Sequence, residues 1–181
     1  MTLPRELSLV KINNNYVLKN SPIEPFKKQL VLEFSEDLLI IKPMQKIKFT
    51  YDNFNQSEIK FKAASKNLKL VFSNEVNDSL VLNYDAAQKT FSIDRRHSGI
   101  VNFEENFGKE IHTTATPWII SENVDFQIIL DWSSVEIFLN GGVYSFTEQI
   151  FPNKPYTKLS IQSDEKQEIK NLTVHRIKGI W

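Results

Sequence analysis

Residues 126–152, FQIILDWSSVEIFLNGGVYSFTEQIFP, carry the pattern that decides the predicted fold of this chain. In an extended strand every second side chain points to the same face, so this stretch places two apolar rows on two short strands. The rows are Phe126, Ile128, Leu130 and Trp132, and Val135, Ile137 and Leu139. Asn140-Gly141-Gly142 then supplies residues that tolerate positive φ, as a tight turn requires. The stretch therefore predicts short antiparallel strands joined by a hairpin.

Alternation of polar and apolar residues continues along most of the sequence. The alternating runs recur every eight to twelve residues, with Asn, Asp, Ser or Lys between them, which is the spacing of an antiparallel sandwich. The predicted strands are residues 46–51, 58–62, 67–72, 80–84, 90–94, 126–132, 135–139, 143–148, 158–162 and 169–176. The thirteen Phe residues suit such a core, because large flat side chains pack well on pleated surfaces. The pattern predicts an all-β fold, a two-sheet antiparallel β-sandwich of the jelly-roll or concanavalin-like kind.

Two segments interrupt the alternation. Residues 21–30 combine Ser21 and Pro22 with the acidic Glu24, which predicts a short helix or a linker. Residues 102–117 have little periodicity and several polar side chains, so we expect a long surface loop there. No repeat and no Gly/Ser-rich linker divides the 181 residues, which favours one compact unit.

The composition limits the kinds of partner and chemistry. Lys and Arg number 22, as do Asp and Glu, so the chain has no net charge to attract nucleic acid or an anionic membrane. A neutral partner, such as a sugar or a protein surface, fits this balance better. The sequence has no Cys and its three His lack metal-ligand spacing, so we predict no disulfide, no metal site and no cofactor. No apolar run is long enough to span a membrane, and the first residues do not resemble an export signal.

The most distinctive segments are FSIDRRHSG, residues 91–99, and DWSSVEIFLNGGVYSFTEQIFP, residues 131–152. Together they resemble the C-terminal β-sandwich domain of glycoside hydrolase family 32, the invertases, inulinases and levanases. In that family the first strand end reads Asp-Arg-x-x-Ser-Gly, which residues 94–99 match in full. The resemblance implies a domain that packs against an N-terminal five-bladed β-propeller. Residues 1–20 would enter from the propeller and pair with the sandwich, 21–30 would be a short helix or linker, and 31–181 the sandwich itself.

The resemblance places catalysis outside this sequence. The catalytic motifs of the family lie in the propeller and comprise an Asn-Asp-Pro-Asn-type nucleophile segment, an Arg-Asp-Pro and a Glu-Cys acid/base. None of them occurs here, and the sequence alone cannot bring two carboxylates together as glycoside hydrolysis requires. We therefore predict no catalytic residue and no enzyme activity of this chain on its own. The parent would be a family 32 glycosidase that is secreted or periplasmic, although the sequence leaves the localisation open.

Two functions remain open at this point. The first is a structural accessory domain, which predicts an apolar surface near Arg5, Leu7 and Leu9 where the propeller would sit. The second is a fructan-binding module that recognises terminal fructose and has fructan or fructose as a partner.

The candidate sugar-binding residues are Asp94, Arg95, Trp118 and Glu136. A guanidinium beside carboxylates suits bidentate contacts with vicinal sugar hydroxyls. It equally suits a structural lock, such as an ion pair between Arg95 and Glu136, and a buried hydrogen-bonded Glu136 that organises strand ends. Trp118 follows Pro117 and is a candidate for exposure, whereas Trp132 shares the period of the core residues.

Overall fold

The structure is a computed structural model that describes residues 3–119 and 121–179. In this part of the chain, fourteen strands form a two-stranded ribbon and two six-stranded antiparallel sheets. The ribbon consists of β1 (Arg5–Ile12) and β2 (Asn15–Pro22), and a short 3-10 helix, Glu24–Gln29, follows it.

The two larger sheets face each other. The first sheet has the spatial order β12 (Tyr144–Gln149), β11 (Ser134–Leu139), β10 (Asn123–Asp131), β5 (Ser57–Ala64), β14 (Gln167–Ile177) and β3 (Leu30–Ile41). The second has the order β4 (Lys46–Thr50), β13 (Lys158–Gln162), β6 (Leu68–Ser73), β7 (Ser79–Asp85), β8 (Thr90–His97) and β9 (His112–Ala115). The prediction of a two-sheet antiparallel β-sandwich is confirmed, as are the strands that alternation predicted.

Two strands of the sandwich were not predicted. β3 carries an acidic stretch, Glu36-Asp37, between two apolar ends, so its sequence does not alternate along its length. β9 has the sequence HTTA, is exposed throughout and lies inside the predicted 102–117 loop. Both are edge strands, so each is paired along only one side. The long surface loop expected at 102–117 thus contains an exposed strand in its last part.

The inner faces of the two sheets form one large core. Along β7 the residues alternate strictly between half-buried and buried, and β6 and β8 follow nearly the same rhythm. Phe126 of β10 stacks on Phe61 of β5 with ring centres 4.7 Å apart, and Tyr84 of β7 meets Phe126 edge-on. These aromatic contacts link the first sheet to the second. Seven of the thirteen Phe are buried, which supports their interpretation as core residues.

A smaller cluster covers the outer face of the first sheet. Phe26 from the 3-10 helix packs with Ile129 of β10 and Phe138 of β11, and Leu3 and Ile177 adjoin them. The start of the chain, the helix and the end of β14 therefore meet over β10 and β11. This arrangement positions the groups around Glu136.

The ribbon pairs within itself. The Asn13-Asn14 turn has φ values of 45° and 67°, which lets β1 fold back directly on β2. The two strands pair with each other from Arg5↔Pro22 to Ile12↔Asn15, and neither belongs to a larger sheet among the described residues. The sequence predicted that strands within residues 1–20 pair with the sandwich, whereas in the structure they form their own two-stranded sheet. One backbone bond, from the Asn20 N–H to the Gly142 carbonyl at 2.8 Å, attaches the ribbon to the β11–β12 hairpin.

The β11–β12 hairpin has the predicted turn. Asn140, Gly141 and Gly142 adopt φ values of 50°, 65° and 98°. A Cβ on Gly142 would lie 2.1 Å from the Asn20 carbonyl oxygen, so only glycine allows the ribbon to approach this closely.

Candidate functional site

Arg95 of β8 forms an ion pair, a hydrogen bond and a cation–π contact at the side of the sandwich. Its Nη1 lies 3.2 Å from Glu148 Oε2 and donates to the Gln149 carbonyl at 3.1 Å. Its Cζ lies 3.9 Å from the centre of the Phe107 ring, a close cation–π contact. The guanidinium thus joins the second sheet to β12 of the first.

The predicted ion pair of Arg95 with Glu136 is wrong because Glu136 points away from the core, on the face of β11 opposite Val135 and Ile137. β11 and β12 place Val135 opposite Glu148 and Glu136 opposite Thr147. Glu148 therefore shares the inner face with the buried Val135, whereas Glu136 points to the outer face of the sheet. Arg95 approaches from the inner side and reaches Glu148.

His112 also contacts Glu148. Its Nδ1 lies 2.5 Å from Glu148 Oε1, so Glu148 contacts both β8 and β9 of the second sheet. β9 and β12 are edge strands of their sheets. The cluster of Arg95, His112 and Glu148 consequently closes one side of the sandwich.

Asp94 points away from this cluster. Consecutive residues of a strand face opposite ways, and Asp94 binds Arg96 on its own side. Its Oδ1 accepts from Arg96 Nε at 2.9 Å, and its Oδ2 accepts from Arg96 Nη2 at 2.8 Å. These bonds from Arg96 hold the pKa of the Asp94 carboxyl below its usual range, although partial burial opposes them. The structure does not bring Asp94 and Arg95 into one pocket.

Trp118 is half-buried at the opposite end of β12. Its backbone N–H donates to the Tyr144 hydroxyl at 2.8 Å. Tyr144 begins β12 and Glu148 lies four residues further on, which separates their Cα atoms by about 13 Å at about 3.3 Å per residue. Trp118 is therefore not placed beside Arg95.

Glu136 holds the start of the described chain. It is 3% exposed. Its Oε1 accepts the Leu3 backbone N–H at 2.7 Å, and its Oε2 accepts from Arg5 Nη2 at 2.5 Å and Arg5 Nε at 3.2 Å. The Arg5 guanidinium also lies 5.0 Å from the Phe138 ring centre. We call Glu136, Arg5 and the Leu3 N–H the ribbon clamp, because they fix the point where β1 begins.

Trp132 differs most from its expected position. The core period of Phe126, Ile128 and Leu130 would continue to Trp132 only if β10 did, but β10 ends at Asp131. Asp131 pairs with Ser134, so Trp132 lies in the intervening turn and is 51% exposed. The prediction of a core Trp132 is wrong.

A cavity of about 390 Å³ opens beside this turn. Its walls come from five segments: Leu3, the 3-10 helix Glu24–Gln29, a second short 3-10 helix Phe54–Gln56, the β10–β11 turn and the end of β14. The sequence signal that could have indicated it is the position of Trp132 among the polar residues Asp131, Ser133 and Ser134.

Within residues 3–119 and 121–179, no group of three or more His, Asp or Glu side chains is arranged to hold a metal ion. Over the same residues no helix is long and apolar enough to cross a membrane.

Known proteins share this architecture. The family described as Glycosyl hydrolases family 32 C terminal matches residues 27–176. The chain belongs to this family. It is similar to the extracellular exo-inulinase inuE of Aspergillus niger (strain ATCC MYA-4892 / CBS 513.88 / FGSC A1513), with 29% identity over 196 residues that cover 100% of the chain and 35% of the relative. A levanase of Bacillus sp. (strain L7) is 30% identical over 102 residues, which cover 56% of the chain and 11% of that protein.

The fold likeness extends over the whole chain. The crystal structure of exo-inulinase from Aspergillus awamori superposes with a TM-score of 0.86 and 21% identity, covering 100% of this chain and 36% of that one. This family 32 C-terminal domain thus spans about a third of the length of the exo-inulinases it matches.

Proposed function

We propose that the chain is the non-catalytic C-terminal β-sandwich of a longer family 32 hydrolase that cleaves fructan or sucrose. In this proposal the domain stabilises its parent by docking on the N-terminal β-propeller that precedes it. The division into residues 1–20, 21–30 and 31–181 stays part of the proposal.

The observation that carries the proposal is an apolar face on the ribbon. In the ladder Leu9 lies opposite Leu18, and Leu7 and Tyr16 share the same face. These side chains, Leu7, Leu9, Tyr16 and Leu18, are 62%, 67%, 73% and 55% exposed. Isolated exposed apolar residues are common, but a contiguous row of four on one narrow ribbon is typical of a protein interface. We call this row the ribbon face.

The ribbon clamp supports the same partner. A preceding domain would connect to the chain just before Leu3, and the clamp fixes Leu3 and Arg5 on the outer face of the first sheet. The ribbon face begins only two residues after Arg5, at Leu7. A preceding domain would therefore lie next to the ribbon face, and its position would be set by the clamp.

The carboxylates support a non-catalytic role. Glycoside hydrolysis needs one carboxyl group that donates a proton and another that acts as nucleophile or base. Asp94, Glu136 and Glu148 are instead ion-paired with Arg96, Arg5 and Arg95. The Glu136 and Glu148 pairs each join two strands, and the Asp94 pair lies within β8, so we expect no hydrolysis by the chain alone.

Fructan binding through Asp94, Arg95, Trp118 and Glu136 stays a prediction. The four side chains lie in separate places, and the Arg95 and Glu136 charges are already paired.

The test compares the longer polypeptide that carries this sequence with a version that ends before residue 3. We expect the longer form to release fructose from inulin, levan or sucrose, and the shortened form to lose thermal half-life with an unchanged KM. The 181-residue chain alone should release no fructose. Hydrolysis by the chain alone, or a shortened form of full stability, would contradict the proposal.

A further inference from the structure

We propose that the cavity beside Trp132 binds a neutral saccharide. This inference goes beyond the docking role proposed above and does not depend on it.

The cavity has the size and construction of a small-molecule site. Its volume of about 390 Å³ falls in the range of about 300–1,000 Å³ that is usual for ligand pockets. Five segments that are distant in sequence contribute to its walls, with Phe26, Gln29, Gln56, Trp132, Ser134 and Lys178 among the lining residues. Such a site exists only in the folded chain.

Trp132 supplies a flat apolar surface on a turn whose backbone is held in place. The turn is closed by the Asp131–Ser134 pair, and the Trp132 backbone N–H donates to Asp131 Oδ1 at 2.8 Å. A tryptophan buries a large apolar area when a ligand covers it, and it loses little conformational freedom because it has only two side-chain torsions. The indole face suits the C–H face of a sugar ring, which is apolar while its rim is polar.

The polar groups around Trp132 match sugar hydroxyls. Gln29 and Gln56 bring amides, Ser134 brings a hydroxyl and Asp131 brings a carboxylate. Amides and hydroxyls both donate and accept hydrogen bonds, as each sugar hydroxyl does, and the carboxylate accepts two or more. A saccharide could therefore satisfy these groups without leaving its own hydroxyls unpaired.

The charges that line the cavity favour a neutral ligand. Glu136 forms part of the wall, but its charge is paired with Arg5. Asp131 and Lys178 carry opposite charges on the same lining. With no charge left in excess, the cavity gives no preference to a phosphate or to a cation.

The experiment titrates the 181-residue chain with sucrose and with short inulin, levan and malto-oligosaccharides at millimolar concentration, and follows the tryptophan indole N–H resonances by NMR. We expect at least one of these neutral saccharides to shift the Trp132 resonance saturably. In variants confirmed as folded by circular dichroism, Trp132→Ala should weaken this binding at least tenfold. Gln56→Ala, at another wall of the cavity, should weaken it severalfold.

Tyr16→Ala is the matched control. Tyr16 is an exposed aromatic residue on the ribbon, opposite Lys11 and so about 20 Å along β1 from Arg5 at about 3.3 Å per residue. Its removal should leave saccharide affinity unchanged. The proposal is overturned if none of the saccharides shifts Trp132, or if binding survives Trp132→Ala and is lost in Trp118→Ala. Neither outcome concerns the ribbon face, so the docking proposal would remain to be judged by its own test.

Discussion

Removal of the Glu136 carboxylate charge tests the ribbon clamp. In Glu136→Gln the side chain keeps its size, but Arg5 loses its ionic partner and one of the two amide positions no longer accepts. The Glu136 side chain is 4% exposed and that of Arg5 is 18% exposed. The lost contacts are therefore largely shielded from water.

The structure sets the expected size of the effect. Breaking a fully buried ion pair costs about 3–5 kcal/mol, whereas an exposed pair is worth at most about 1 kcal/mol. Arg5 keeps its contact with the Phe138 ring and some access to water, so we expect a loss of about 2–3 kcal/mol, as for one or two charge-assisted hydrogen bonds. For a domain of this length that loss lowers the melting temperature by about 4–12 °C.

The assay is urea unfolding at pH 7 and thermal unfolding, both followed by circular dichroism. Glu33→Gln is the matched control, because Glu33 also pairs with an arginine, Arg176 at 2.9 Å, but on the exposed surface of β3 and β14. The control should lose less than about 1 kcal/mol. If Glu136→Gln is no more destabilising than Glu33→Gln, the reasoning about the clamp is wrong.

Two further substitutions test the hairpin contact and the loop around Asp78. Gly142→Ala would place its Cβ 2.1 Å from the Asn20 carbonyl oxygen at a φ of 98°. We expect this substitution to lower the free energy of unfolding, measured in urea, by about 1–3 kcal/mol or more. Gly141→Ala, whose Cβ would meet only a flexible lysine end, should cost less, and equal losses would refute the close approach. Burial raises the pKa of the Asp78 carboxyl, but hydrogen bonds from Asn74 and Asn153 outweigh it and lower that pKa. Because the folded pKa lies below the unfolded value of about 3.9, this stabilisation is present above about pH 4 and is lost as the pH falls through the folded pKa. The stability difference between wild type and Asp78→Asn should therefore shrink as the pH is lowered below 4, and a constant difference would contradict this.

The sequence predicted the sandwich because its central strands alternate between apolar and polar residues, and this alternation shows which face of each strand is buried. β7, SLVLNYD, alternates from end to end and is buried at every second residue. β9, with the sequence HTTA, has no apolar face to bury, so nothing in its composition separates it from a loop. Edge strands are thus the part of this fold that periodicity does not reveal.

The arrangement of the candidate residues depended on information that periodicity does not hold. Glu148 meets Arg95 because the register of β12 against β11 places it opposite the buried Val135, and a shift of one residue would turn Glu148 to the outer face. Trp132 fits the core period, but the end of β10 one residue earlier moves it to the surface. Strand ends and cross-strand register therefore limited the prediction of the site, while the family resemblance and the fold class did not depend on either.

The most direct test of the docking proposal introduces a charge on the ribbon face of the longer polypeptide. We expect Leu9→Glu to lower the unfolding temperature of that polypeptide and to separate its unfolding into two calorimetric transitions, with the KM for fructan unchanged. Met44→Glu is the matched control, because Met44 is 68% exposed but lies in the turn after β3. If Leu9→Glu leaves a single transition at the wild-type temperature, or if Met44→Glu has the same effect, the ribbon face is not where the domain docks.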